Sequence, residues 1–98
     1  MEITDEFLEE IIHALRVSQT EEVEMEVTSL CLVALSDLKR QGVDIISLDD
    51  PMTKQAVKLY CKAHYGYDNN TERFDAAYIS LSAAMSLCGD YDGSDTNA

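Results

Sequence analysis

Basic residues are scarce in this sequence. The 98-residue chain has seven Lys and Arg against nineteen Asp and Glu, a formal net charge of −12. Binding along a phosphate backbone needs clustered cations, so this balance argues against a nucleic-acid-binding domain. Paired cysteines are also missing: Cys31, Cys61 and Cys88 are odd in number, widely spaced and without a CxxC. That pattern fits reduced thiols of a cytosolic protein better than a disulfide framework. No basic stretch leads into an apolar one at the start, so no signal peptide is expected. No apolar run approaches the length needed to span a membrane. Neither a GxGxxG nor a Walker loop is present to hold a nucleotide.

What is present reads as one small domain. Apolar residues make up 46% of the chain, a normal globular share that argues against wholesale disorder. A chain this short starts near the lower limit of comfortable stability, and association is one remedy. The charge is uneven. Residues 1–30 hold Glu2, Asp5, Glu6, Glu9, Glu10, Glu21, Glu22, Glu24 and Glu26 against Arg16 alone, whereas residues 31–88 are nearly balanced. The molecule therefore has an acidic end or face, suited to a basic partner or to keeping the chain dissolved.

Apolar periodicity predicts four helices. Phe7, Leu8, Ile11, Ile12 and Leu15 form one helical stripe over about Asp5 to Arg16, with Thr4 as N-cap and Asp5 and Glu6 at the positive dipole end. Ser18 or Thr20 restarts the chain, and Ser18 with Glu21 has the form of a capping box. Val23, Val27, Leu30, Cys31, Ala34, Leu35 and Leu38 give a long second stripe, ended by Lys39, Arg40 and Gly42. Leu32 and Val33 widen its apolar surface, which predicts that this helix is the central one. The segment 43–49 reads as a loop tucking Val43, Ile45, Ile46 and Leu48 into the core. Asp50 before the single proline, Pro51, is a helix-start signal. The third helix carries Met52, Ala56, Val57, Leu59, Tyr60, Cys61 and Ala63 and stops near Gly66. After a polar turn over 67–71, Phe74, Ala77, Tyr78, Leu81, Met85 and Cys88 mark the fourth, ended by Gly89. Residues 90–98 are polar and acidic and predict a mobile tail beyond a helical domain of residues 1–89. The fold class is all-α, a compact bundle of four main helices with a flexible C-terminal tail.

The residues that carry chemistry elsewhere point here to structure. His13, His64 and the three cysteines match no metal-ligand spacing, and each cysteine sits on the apolar stripe of its helix, where buried thiols are common. His64 follows Cys61 by three residues, but near a helix end it is more simply a partner of terminal carbonyls than the base of a Cys–His pair. Carboxylates are too abundant for any one pair to be informative. No catalytic, cofactor or metal residues are assigned, and the chain reads as a protein that acts through its surfaces. Lys54, Lys58 and Lys62 recur every four residues as a positive row on the third helix. Glu22 and Glu26 form a negative row on the second. Two unrelated solvated faces would explain both rows. The sharper expectation is that they meet between neighbouring copies, head to tail, as in a ring.

The order of these features resembles a known family. Asp50-Pro51-Met52, Ala56-Val57-Lys58-Leu59-Tyr60, Lys62-Ala63-His64-Tyr65-Gly66-Tyr67-Asp68-Asn69, Glu72-Arg73-Phe74 and Tyr78 look like the small head-tail connector proteins of tailed bacteriophages. These are also described as DNA-packaging or head-completion adaptors. The resemblance covers most of residues 4–91 and is most specific over 62–74. It implies an all-α subunit of a ring of about twelve copies, matching a portal, since head-to-tail contacts close into rings when the rotation allows. Its partners would be further copies, the portal protein, and a tail-side stopper or tail protein. DNA would pass through the centre without specific binding, and no membrane is involved. Location would be the head-tail junction of the virion, and the host bacterial cytoplasm during assembly. Tyr60, Tyr65, Tyr67 and Phe74 would form an aromatic cluster holding the third-to-fourth helix turn, and Gly66 would let the chain reverse there. The C-terminal tail would order on docking. A carboxylate-lined channel would repel a moving duplex. The alternative from another class is an acidic DNA mimic that occupies a nucleic-acid-binding protein. A small accessory subunit of an enzyme is a third reading.

Overall fold

Three helices begin where a short polar side chain takes a free backbone N–H. The computed structural model describes residues 3–44, 47–65 and 71–88. Within them lie α1 (Asp5–Leu15), α2 (Glu21–Arg40), α3 (Pro51–Tyr65) and α4 (Thr71–Ser86), with no strand among the described residues. Thr4 Oγ1 accepts from Phe7 N–H at 3.2 Å, and Thr20 Oγ1 accepts from Val23 N–H at 3.2 Å. The Ser18 capping box does not form. Thr20 is the N-cap, so the helix starts at Glu21, too late for that residue to be the third helical residue of a box opened at Ser18. Asp50 caps α3 doubly: its Oδ2 accepts from Thr53 N–H at 2.9 Å and from the Thr53 hydroxyl at 3.0 Å. The second bond satisfies a side chain that is fully buried.

The ends differ in kind. α1 stops at Arg16, which leaves the helix in the left-handed region with φ of 60°. An L-residue pays roughly 1 kcal/mol or more there. α2 ends in a Schellman motif. Val43 N–H donates to Leu38 O at 3.0 Å, and Gly42 N–H donates to Lys39 O at 3.1 Å, with Gly42 at φ of 103°. The motif tucks Val43 under Leu38, and both are fully buried. A Cβ built on Gly42 would meet only Ser86 Cβ, at 3.9 Å, an ordinary contact. Gly42→Ala should therefore cost only the backbone term, about 1–2 kcal/mol, read by urea unfolding.

The core runs through all four helices: Phe7, Ile11 and Leu15 from α1, Val27, Cys31, Ala34 and Leu38 from α2, Ala56, Val57 and Cys61 from α3, and Tyr78 and Met85 from α4. The central helix is α3, not α2. It packs against α1, α2 and α4, whereas the main partners of α2 are α1 and α3. Small buried side chains at Thr53, Ala56, Val57 and Cys61 let three helices approach it closely. Leu32 and Val33 accordingly do not widen a core face. They stand 44% and 50% exposed, because a step of 100° per residue turns them away from α1 and α3. Ala77 is exposed for the same reason, and the buried Ser82 takes a place on the inner stripe of α4. Val43 and Leu48 pack inward as the loop reading expects. Ile45, Ile46, Gly66, Gly89 and the tail 90–98 lie outside the described residues. No helix among the described residues is long and apolar enough to cross a membrane.

Candidate interaction surface

The lysine row is largely answered from within the chain. Lys54 Nζ lies 3.2 Å from Glu10 Oε1, and Lys58 Nζ lies 4.0 Å from Glu10 Oε2. One α1 carboxylate thus bridges two of the three lysines, so Glu10 does not simply face water. Half-exposed pairs of this kind are each worth about 0–1 kcal/mol, so they orient α1 on α3 more than they stabilise it. Lys62 stands apart, its Nζ 5.3 Å over the Phe74 ring. Glu22 and Glu26 are exposed and form no ion pair among the described residues. The positive row of three is therefore electrostatically a row of one, and the two rows are not joined within a copy.

Among the described residues, two ring contacts of this region gather on Tyr60. Tyr60 meets Tyr78 edge-on, with centroids 5.1 Å apart at 74°, and lies 4.2 Å from the His64 ring. Tyr65 is half-buried against the core, Phe74 serves Lys62, and Tyr67 lies outside the described residues. His64 stacks on Tyr60 and places Nε2 at 3.9 Å from Asp75 Oδ1, so its partners are a ring and a carboxylate. The α3–α4 packing is thus centred on Tyr60 and Tyr78, a pairing worth about 0.5–1.5 kcal/mol beyond its buried area.

Behind Tyr78 is a polar clasp that periodicity does not reveal. The Tyr78 hydroxyl donates to Asp37 Oδ2 at 2.6 Å, Gln41 Nε2 donates to the same carboxyl at 2.8 Å, and Arg40 pairs with its other oxygen. Ser82 Oγ in turn donates to Gln41 Oε1 at 3.2 Å. Burial pushes the Asp37 pKa up, but the bonds from Tyr78, Gln41 and Arg40 outweigh it and hold the carboxyl below its ordinary range. Burial, then the bond to Asp37, pushes the Tyr78 phenol well up. The clasp ties α4 to the last turn of α2.

Cys31 and Cys61 are buried free thiols, and Cys88 is half-buried. The hydrogen bond with Cys31, then burial, pushes the Cys61 thiol far up, away from the reactive thiolate. Among the described residues no group of three or more His, Cys, Asp and Glu is placed to hold a metal ion.

The feature with most potential for contact is apolar. From Ala76 to Cys88 the chain carries no charged residue, although 27% of the whole chain is charged. The outer face of α4 is formed there by Ala76, Ala77, Ile79, Ser80, Ala83 and Ala84, and Leu87 follows directly after its end, all exposed, with Ile79 at 57% and Leu87 at 87%. A solvent-facing helix surface normally carries charge. On α2, Met25, Leu32 and Val33 are exposed as well. Sequence reading alone treats α4 as a single inward stripe and misses this outer face, although the charge-free run was there to signal it. No protein-family model, curated protein or solved structure matches the chain.

Proposed function

We propose that the chain is a structural subunit of the head-tail connector of a tailed bacteriophage, assembling into a ring below the portal and giving DNA a passage from head to tail. The observation that carries this reading is the uncharged outer face of α4 on a molecule of net charge −12. Contiguous exposed apolar surface with charge on all sides marks a contact site. At about 1.5 Å per residue, the uncharged part of α4 from Ala76 to Ser86 offers a face roughly 16 Å long. A strip of that length and about one helix diameter wide covers roughly 200 Å², short of the roughly 800 Å² per partner of a stable interface, so further surface must contribute. Met25, Leu32 and Val33 of α2 supply a second patch. Two distinct apolar patches suit a subunit with a neighbour on each side.

The resemblance over residues 62–74 supplies the kind of ring. The chemistry is compatible with it: the polar groups described above bind one another, and a connector needs surfaces. The exposed acids of α1 suit a wall that repels phosphate rather than gripping it. Light scattering and negative-stain electron microscopy of the purified protein, alone and with a phage portal, test the proposal. Rings in either condition are the expected result. A monomer in both, or a monomer that displaces DNA from a host protein, overturns it in favour of the DNA mimic.

A further inference from the structure

We propose that His13, Arg16 and Lys62 form an acceptor site for Glu22 and Glu26 of a neighbouring copy, an inference that rests on the connector reading. The three cationic or hydrogen-bonding side chains border one surface depression where the end of α1 meets α3. Its remaining lining is Ala14 and Val17, and no carboxylate enters it. The adjoining depression differs. There Lys58 is set among Glu6, Glu9 and Glu10 and is compensated within the chain. Only the Lys62 end of the lysine row is therefore open to an outside acid.

The site has features of a prepared receptor. Arg16 is the sole Lys or Arg before Lys39 and is held by the left-handed turn that closes α1. Neither Arg16 nor Lys62 forms an ion pair among the described residues. Lys62 is steadied over the Phe74 ring, which reduces the freedom it loses on binding. Half-buried Ala14 and Val17 add apolar side chains to its lining, beside which a charge pair is screened less than on open surface.

The occupant follows from charge. Copies carrying −12 each repel on average, so attraction between them must be local. Glu22 and Glu26 are exposed, unpaired and one helical turn apart, about 6 Å along the axis. Two carboxylates give each of the two cations a partner, where a single acid would leave one unanswered. The second copy supplies them at the same concentration as the acceptor.

The test uses two variants of the full chain. One reverses the acceptor (Arg16→Glu with Lys62→Glu), and the other reverses the donor (Glu22→Lys with Glu26→Lys). Each alone should weaken self-association at least about tenfold by sedimentation or light scattering. An equimolar mixture should recover assembly, because each variant then offers the charge that the other lacks. Circular dichroism melts check the fold. If the acceptor reversal does not fold, Arg16→Gln with Lys62→Gln replaces it in the weakening arm alone, with Glu22→Gln and Glu26→Gln as the matching donor variant and equal weakening by both as the expected result. Wild-type-like assembly of both variants, or a mixture that recovers nothing, overturns the acceptor site and leaves the connector reading standing. A wild-type chain that never associates, alone or with a portal, overturns the connector reading itself. Pairs in place of rings would keep the charge contact and remove the ring.

Discussion

Asp37→Ala should lower the unfolding free energy by about 2–3 kcal/mol, because the Tyr78 hydroxyl is left in the core without its acceptor. Tyr78 is 3% exposed, and the Asp37 side chain is 17% exposed. Gln41 and Arg40 lose their carboxylate in the same step. For a domain of this size such a loss is a large part of the total and moves Tm by roughly 10–20 °C. Asp37→Asn keeps an oxygen for Tyr78 and should recover part of the loss. Tyr78→Phe combined with Asp37→Ala should cost less than the two changes added, since they remove one shared bond. Additive costs would show that the clasp contributes little.

The same clasp predicts a pH dependence with a definite sign. Asp37 has a folded-state pKa below its ordinary value of 3.8, so its contribution is present above that value and is lost as pH falls through the folded pKa. Tyr78 has a folded-state pKa above its ordinary value of 10.0, so its contribution is present below that value and is lost as pH climbs beyond it. The stability difference between the wild type and Asp37→Ala should be level between these limits and shrink outside both. Urea unfolding across the acid range checks the lower limb. A difference that stayed constant down to the acid unfolding of both proteins would contradict the assignment.

Ile79→Asp should abolish assembly while the subunit stays folded. Ile79 is 57% exposed at the middle of the uncharged α4 face, so folding should change by less than about 1 kcal/mol. In a contact between copies, the new carboxylate would be buried against apolar side chains without a partner. A loss of about a hundredfold or more in association follows from a penalty of roughly 3 kcal/mol. Ile79→Ala should weaken association much less. Normal assembly of Ile79→Asp would remove α4 from the interface and with it the observation on which the proposed function rests.

Much of the architecture was legible because its causes are local. Thr4, Thr20, Asp50 and Gly42 each act on backbone within about one turn, and each appears at the helix end that its chemistry suits. The surface was less legible. Lys54 and Lys58 form a clean row in the sequence, but their partner Glu10 lies 44 residues before Lys54. Asp37 and Tyr78 are 41 residues apart and join only because α4 settles beside the last turn of α2. The edge-on contact of Tyr60 with Tyr78 likewise joins two helices across 18 residues of sequence.

The four helices of the described residues and the excess of acid are written in short segments of sequence, since helix periodicity, caps and charge are local properties. The tertiary structure alone decided that α3 is the centre, that two lysines are already answered, and that Lys62 and the outer face of α4 remain open. Those outcomes depend on how each helix is rotated about its axis when it packs. A spacing rule shows which residues share a face, and only packing decides which face is covered.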